Sequence, residues 1–311
     1  MTHTILGAGG AIGIELARSL MQYPGTIRLV SRTPEAVNND DELFTADLSR
    51  RDEVFRAVEG SNTVYVTIGF QYNTGVWQQT WPPFIQQVIE ACSLYKAKLV
   101  FFDNVYAVGG DYVSHITEDS SISPTSRKGV VRAEVDRLIL KAIEDQRVEA
   151  LIARAPDFFS AVKQNSMAMI LIYDNLLKGK KAQWLCDAHK IHSMGYAPEL
   201  AKGMAMLGNT PDAYNQIWNL PTDAETLTGA QWIQLFAKEM QKPEKCQILP
   251  TWLIKVLGIF IPVMREIPEM NYQFDRDYFF DSTKFNKRFN YTPISNAEAV
   301  KQTIAALKKS V

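Results

Sequence analysis

Thr4-Ile5-Leu6-Gly7-Ala8-Gly9-Gly10-Ala11-Ile12-Gly13 decides how the rest of the chain is read. A short apolar run passes straight into a glycine cluster, and Ile14, Leu16, Ala17 and Leu20 follow at the spacing of an amphipathic helix. Glycines at 7, 10 and 13 let the backbone turn tightly, approach a pyrophosphate and keep the helix close to its strand. The amide N–H groups and the positive end of the helix then face the phosphates. Gly7, Gly9, Gly10, Ala11, Ile12 and Gly13 are therefore the candidate phosphate cradle of a dinucleotide. A ligand-free strand-to-helix turn uses the same glycines, so the reading needs support from independent elements.

Thr26–Val30 reads as a second strand ending at Ser31-Arg32, about 20 residues past the glycine loop, where an adenosine ribose would lie. An NAD site offers Asp or Glu there to accept from the 2′-hydroxyl. Ser31 and Arg32 suit a 2′-phosphate instead, so NADP is the preferred cofactor and NAD the alternative. Leu43–Ala46 is a third strand, followed by Asp47-Leu48, and Arg51–Val58 a crossover helix. Thr63–Thr67 is a continuous apolar strand ending at Ile68-Gly69, as in a sheet buried on both faces. Pro82–Leu94 has helical spacing, Leu99–Phe102 is a fifth strand, and an amphipathic helix spans Val131 to Ile143. Val148–Ala153 is a sixth strand, followed by Arg154-Ala155-Pro156-Asp157.

Alternating strands and helices with short connections predict an α/β fold, a doubly wound parallel sheet of Rossmann type. The alternation fails beyond residue 158, although Gln216–Leu220 reads as a strand that returns to the sheet. The expected organisation is a dinucleotide-binding domain over 1–158, joined by 198–220. A smaller C-terminal substrate-binding domain then comprises 159–197 and 221–311.

The 311 residues are 46% hydrophobic and 22% charged with net charge −1, which gives no footprint for nucleic acid or for a membrane surface. The most apolar run, Trp252–Met264, is too short to span a bilayer, which needs about 20 apolar residues. It reads as core or pocket wall, with a homodimer face left open. Three scattered cysteines, Cys92, Cys186 and Cys246, fit a reducing compartment, and the glycine loop begins too early for a signal peptide, so the expected location is cytoplasmic. Cys186-Asp187-x-His189-x-x-His192 carries ligand types without a zinc spacing, so no metal is expected. No Gly-x-Ser-x-Gly elbow is present, so nothing supports serine hydrolysis.

With Gly7-x-x-Gly10-x-x-Gly13, Asp47-Leu48, the Gly69 turn and Trp218-Asn219-Leu220-Pro221 in place, the chain resembles the extended short-chain dehydrogenase/reductases, the NAD-dependent epimerase/dehydratase group. The resemblance implies that Asp47 and Leu48 sit by the adenine and that Thr67, Ile68 and Gly69 line the ribose side. It also implies a Ser or Thr after the fifth strand and a Tyr-x-x-x-Lys pair on the next helix. This sequence departs there: Asn104 stands at the serine position, and in Lys128-Gly129-Val130-Val131-Arg132 the lysine replaces the tyrosine and Arg132 the lysine. The chain resembles an atypical member without the usual pair.

At spacing i,i+4, Lys128 and Arg132 share a helix face. Arg132 can donate to cofactor ribose or phosphate. Lys128, desolvated beside a fixed cation, would have its pKa lowered and serve as a proton shuttle. Both cations can equally be structural. Asn104 can hydrogen-bond a substrate oxygen but cannot act as a base, and Tyr106 is the phenol near the strand end. Asp157 and His192 are candidate substrate contacts. Together these residues imply a nicotinamide-dependent oxidoreductase or epimerase/dehydratase acting on a small carbonyl or hydroxyl compound, sugar-nucleotide-like by the resemblance. The competing reading is a non-catalytic dinucleotide-binding redox sensor.

Overall fold

The computed structural model describes residues 1–163 and 166–309. In chain order the elements are β1 (Thr2–Leu6), α1 (Ala11–Leu20), β2 (Thr26–Ser31), β3 (Glu42–Thr45), α2 (Arg51–Val58), β4 (Thr63–Val66), α3 (Thr74–Tyr95), β5 (Lys98–Asn104), α4 (Arg127–Glu144) and β6 (Ala150–Ala155). There follow β7 (Asp157–Phe159), a π-helical turn Met169–Tyr173 leading into α5 (Asp174–Leu177), β8 (Ala182–Leu185), β9 (Met194–Tyr196), α6 (Ala197–Gly208) and β10 (Gln216–Asn219). The chain ends with α7 (Gly229–Met240), β11 (Cys246–Leu249), α8 (Thr251–Phe260), α9 (Thr283–Phe289) and α10 (Asn296–Lys309).

The main sheet has the order β10-β6-β5-β4-β1-β2-β3, and its pairings are parallel throughout. Such strands must be apolar on both faces: β4 is buried at every residue, and so is β6. The strand order reverses between β1 and β4, which is where doubly wound sheets open a ligand crevice at their carboxyl ends.

The chain divides into two compact units. Met1–Ala107, Lys128–Ala155 and Leu200–Leu220 form the first; Val108–Arg127, Pro156–Glu199 and Pro221–Val311 form the second. The first packs Leu6, Val30, Val66, Phe101 and Ile152 of the sheet with Trp81, Ile85 and Val88 of α3 and Val131 and Val135 of α4. The second gathers Phe159, Trp184, Trp232, Phe236 and Val300. It carries two further parallel pairs, β8 with β11 and β7 with β9.

Two features differ from the sequence expectation. The helix read from Pro82 begins at Thr74, capped by Asn73, whose side chain accepts from the Val76 N–H at 3.0 Å. A proline is favoured in a first helical turn, so Pro82-Pro83 mimicked a start that lies eight residues earlier. The stretch Val108–Arg127, expected in the first unit, belongs to the second because its backbone pairs there. Ile116 N–H donates to Phe279 O at 2.7 Å, and Phe279 N–H to Val113 O at 3.1 Å.

The glycine turn is held by close approach. Gly7 has φ +98°, and a Cβ there would lie 2.4 Å from Ile68 Cα; at Gly13 it would lie 2.7 Å from Gly7 O. A Gly7→Ala substitution is expected to destabilise the first unit by about 2–3 kcal/mol, combining a positive φ with an overlap against backbone. The check is a thermal melt, in which the variant's midpoint falls by several degrees.

Candidate functional site

At the carboxyl edge of the main sheet, the peptide after β1 is pinned from both sides. Gly7 N–H donates to Val30 O at 3.0 Å, and the Thr67 hydroxyl donates to Gly7 O at 3.2 Å. Gly9 and Gly10 have open space where a side chain would project, the nearest atom to a Cβ at Gly10 being 3.8 Å away. Helix α1 starts without a side-chain cap and with no acid in its first turn. Its leading amides are left to an external acceptor, which is the requirement for a phosphate. These residues fit a dinucleotide pyrophosphate: Gly7, Gly9, Gly10, Ala11, Ile12 and Gly13 would hold it.

Ser31 ends β2, and Arg32 projects from it exposed. The Asp47 carboxylate accepts from Ser49 N–H at 3.0 Å and from its hydroxyl at 2.8 Å. Those bonds, the backbone one foremost, and the Arg32 charge hold it below the ordinary carboxylate range. Leu48 is buried beneath it. Thr67 and Ile68 are half-buried, and Gly69 is exposed.

Asn104 closes β5, and its side-chain oxygen accepts from Tyr106 N–H at 3.0 Å, which fixes the amide. Tyr106 stacks on Trp77 at 6.1 Å. Lys128 and Arg132 share the buried face of α4, yet their surroundings differ. The Lys128 ammonium donates to the Thr74 hydroxyl at 3.2 Å and lies 4.6 Å from the Tyr72 ring centroid.

Arg132 turns inward instead of presenting its guanidinium at the sheet edge. Its Nε donates to Asp103 Oδ1 at 2.7 Å, with Nη2 on the same oxygen, and the group lies against the Trp81 and Phe101 rings at 4.3 and 4.8 Å. Arg132 thus forms a buried ion pair with Asp103. Arg154, read as lying after the sixth strand, is inside β6 and donates to Asp136 Oδ2 at 2.9 Å. Both side chains of that pair are fully buried. Burial, and then the neighbouring Asp103 charge, push Asp136 up to about 8.

In the second unit the structure joins two residues named separately from sequence. His192 Nε2 lies 3.0 Å from Asp157 Oδ2, and Nδ1 lies 3.0 Å from Gln273 O. The ring stacks on Phe274 at 4.4 Å and is buried, while Asp157 remains half-exposed. The same unit holds a cavity of about 480 Å³ whose lining includes Thr125, Thr251, Lys255, Asn271, Tyr272 and Arg276. Among the described residues no group of His, Cys, Asp and Glu is placed to hold a metal ion.

Sequence reading missed Thr74, Tyr72, Asp103, Asp136 and Arg154. A charged residue inside the apolar strand Ala150–Ala155 signals Arg154, and spacing i,i+4 from Arg132 signals Asp136. Nothing local marks Thr74.

Sheet order, switch point and phosphate cradle define a dinucleotide-binding α/β protein. The family model described as NAD dependent epimerase/dehydratase family matches residues 3–220, and the chain belongs to that family. Its members are enzymes that use a nicotinamide dinucleotide, and this chain is one of them by family. No curated protein sequence matches the chain.

Solved structures share the fold. The Thermus thermophilus UDP-glucose 4-epimerase, in complex with NAD, has a TM-score of 0.81 at 14% identity, covering 100% of both chains. The Bacillus cereus UDP-glucuronic acid 4-epimerase, also with NAD, has 0.78 at 16%, covering 100% of this chain and 99% of that one. The Streptomyces venezuelae dTDP-glucose 4,6-dehydratase, with NAD and TYD bound, has 0.81 at 14%, covering 99% and 97%.

A carboxyl whose folded value is raised loses stability as pH rises, because the native state keeps a proton that the unfolded chain has released. Unfolding free energy is therefore expected to fall between about pH 4, the unfolded carboxyl range, and about pH 8 for Asp136. Urea titrations at intervals across that window should show the decline, and Asp136→Asn should flatten it.

Proposed function

We propose that this protein is an NADP-preferring oxidoreductase or epimerase/dehydratase acting on a carbonyl or hydroxyl substrate, in which Lys128 takes the place of the family's usual tyrosine. The observation that carries the reading is the placement of Lys128. A fully buried ammonium in the first turn of α4 lies at the positive end of the helix, where a cation is disfavoured. The Thr74 hydroxyl accepts from it and the Tyr72 ring face lies beside it. Its place on the helix, where the family's tyrosine is expected, supports a role in proton transfer.

The nicotinamide cofactor supplies hydride transfer when bound. The glycine cradle holds its pyrophosphate, Asp47, Leu48, Thr67, Ile68 and Gly69 border its adenosine half, and Arg32 with Ser31 receives a 2′-phosphate. Lys128 holds a proton at Nζ for the substrate oxygen, and the Asn104 amide, its own oxygen fixed on Tyr106 N–H, donates to the same oxygen. Tyr106 packs beside them. Arg132 acts as a positioning residue, holding α4 to β5 through Asp103. Asp157 and His192 bind substrate in the second unit. Solved relatives carry UDP-glucose, which supports a sugar-nucleotide-like compound. The free thiols of Cys92, Cys186 and Cys246 support a cytoplasmic location.

The inward turn of Arg132 favours a second reading, a dinucleotide-binding sensor without turnover. NADPH with a panel of carbonyl compounds, including sugar nucleotides, separates the two: the enzyme consumes NADPH or isomerises its substrate, while the sensor binds NADPH and does neither. Lys128→Ala is expected to lower kcat by at least ~100-fold, the scale of general acid–base catalysis, with NADPH affinity within a few-fold. Full activity in that variant removes Lys128 from the mechanism. Arg32→Ala should weaken NADPH binding by roughly tenfold, as for one charge-assisted contact, and leave NADH unchanged; calorimetric titration reads both.

A further inference from the structure

Helix α8 carries its apolar residues outward. Ile254 and Gly258 face the second unit and are buried, and the guanidinium of Arg265 caps the far end, donating from Nη2 to Ile259 O at 2.9 Å. The opposite face bears Trp252, Val256 and Ile259 at spacings of four and three residues, one stripe of a helix, and Val263 is exposed in the turn that follows it. Phe260 stands beside them. Trp252 is 66% exposed, Ile259 64% and Phe260 79%, values that an aromatic or branched side chain in a core element does not reach.

We propose that α8 lies on an anionic lipid surface, with Trp252, Val256, Ile259, Phe260 and Val263 entering the acyl boundary and Lys255 remaining among the headgroups. Three features favour lipid over a second copy of the chain. The helix has ten residues, about 15 Å of length. Its outward face offers on the order of a few hundred Å², against about 800 Å² per partner in a stable dimer. Lys255 flanks the apolar face and is exposed, where lipid phosphates would neutralise it. Residues 242–265 hold four cations, Lys242, Lys245, Lys255 and Arg265, against the single acid Glu244, within a chain of net charge −1. The acids that follow are engaged: Glu269 accepts from Arg127 and Asp275 from Arg276.

No helix among the described residues is long and apolar enough to cross a membrane. Lying in the interface asks for something else, an apolar face with a tryptophan, flanked by cations. Length and overall charge, on which the expectation of no membrane contact rests, do not bear on an interfacial helix. This proposal stands whichever reading of the catalytic site holds.

The tryptophans make the test specific. Trp77, Trp81, Trp184, Trp218 and Trp232 are buried, and Trp252 is the exposed one of six. The full chain is sedimented with phosphatidylcholine vesicles with and without phosphatidylglycerol, and its fluorescence is read with lipids brominated on the acyl chain. The expected result is binding to the anionic vesicles that weakens with salt, and quenching that disappears in Trp252→Phe. A double variant, Trp252→Glu with Phe260→Glu, should bind at least ~tenfold more weakly. Both positions are exposed, and quenching of the unmodified chain reads insertion independently of any variant. Absence of vesicle binding overturns the proposal, as does binding that the double variant keeps. A dimer seen by sedimentation velocity and dissolved by the same variant, without lipid binding, assigns the face to a second copy instead.

Discussion

The ion pair between Asp103 and Arg132 is the constraint on which the first unit's chemistry rests. Removing one member of a buried pair leaves an uncompensated charge worth about 3–5 kcal/mol, so β5 and α4 cannot slide past one another without breaking it. Asn104 follows Asp103 directly, and Lys128 precedes Arg132 by one helical turn. One contact thereby sets the separation of the two side chains most suited to a substrate oxygen. Asp136 and Arg154 extend the lock to β6.

The other end of the site depends on the absence of side chains. Gly7 against Ile68 and Gly13 against the turn leave no room for a Cβ, which draws β1, β4 and α1 together. Gly9 and Gly10 face open space, so their glycine character serves the approach of something outside the chain. Crowding behind the loop and vacancy in front of it are what a pyrophosphate requires.

Much of this architecture was legible. Strand β4 announced itself by a continuous apolar run, and the sheet by alternation, because these signals are local and repeat. Residues 108–127 and the β8–β11 pair were not legible, since their partners lie far along the chain and nothing in either segment names them. The tight glycine turn was readable because glycine leaves a spacing pattern. The inward turn of Arg132 was not, because Arg at a lysine position looks the same whether it faces a ribose or an aspartate; only the Trp81 and Phe101 rings and Asp103 decide it. The segment Trp252–Met264, read as core or pocket wall with a dimer face left open, divides: Ile254 joins the core, while Trp252, Ile259 and Phe260 face outward.

The chain passes from one unit to the other at residues 107–108, 127–128, 155–156, 199–200 and 220–221. Neither unit is a continuous segment, so no single truncation delivers either of them as an autonomous piece. The crossings fall beside the residues of greatest chemical interest: Asn104 and Tyr106 before the first, Lys128 after the second, Asp157 after the third. Their backbone is tethered to two hydrophobic cores at once, and melting of either core would unthread it. For this topology, proteolytic resistance of these crossing segments becomes a readout of the integrity of both cores together.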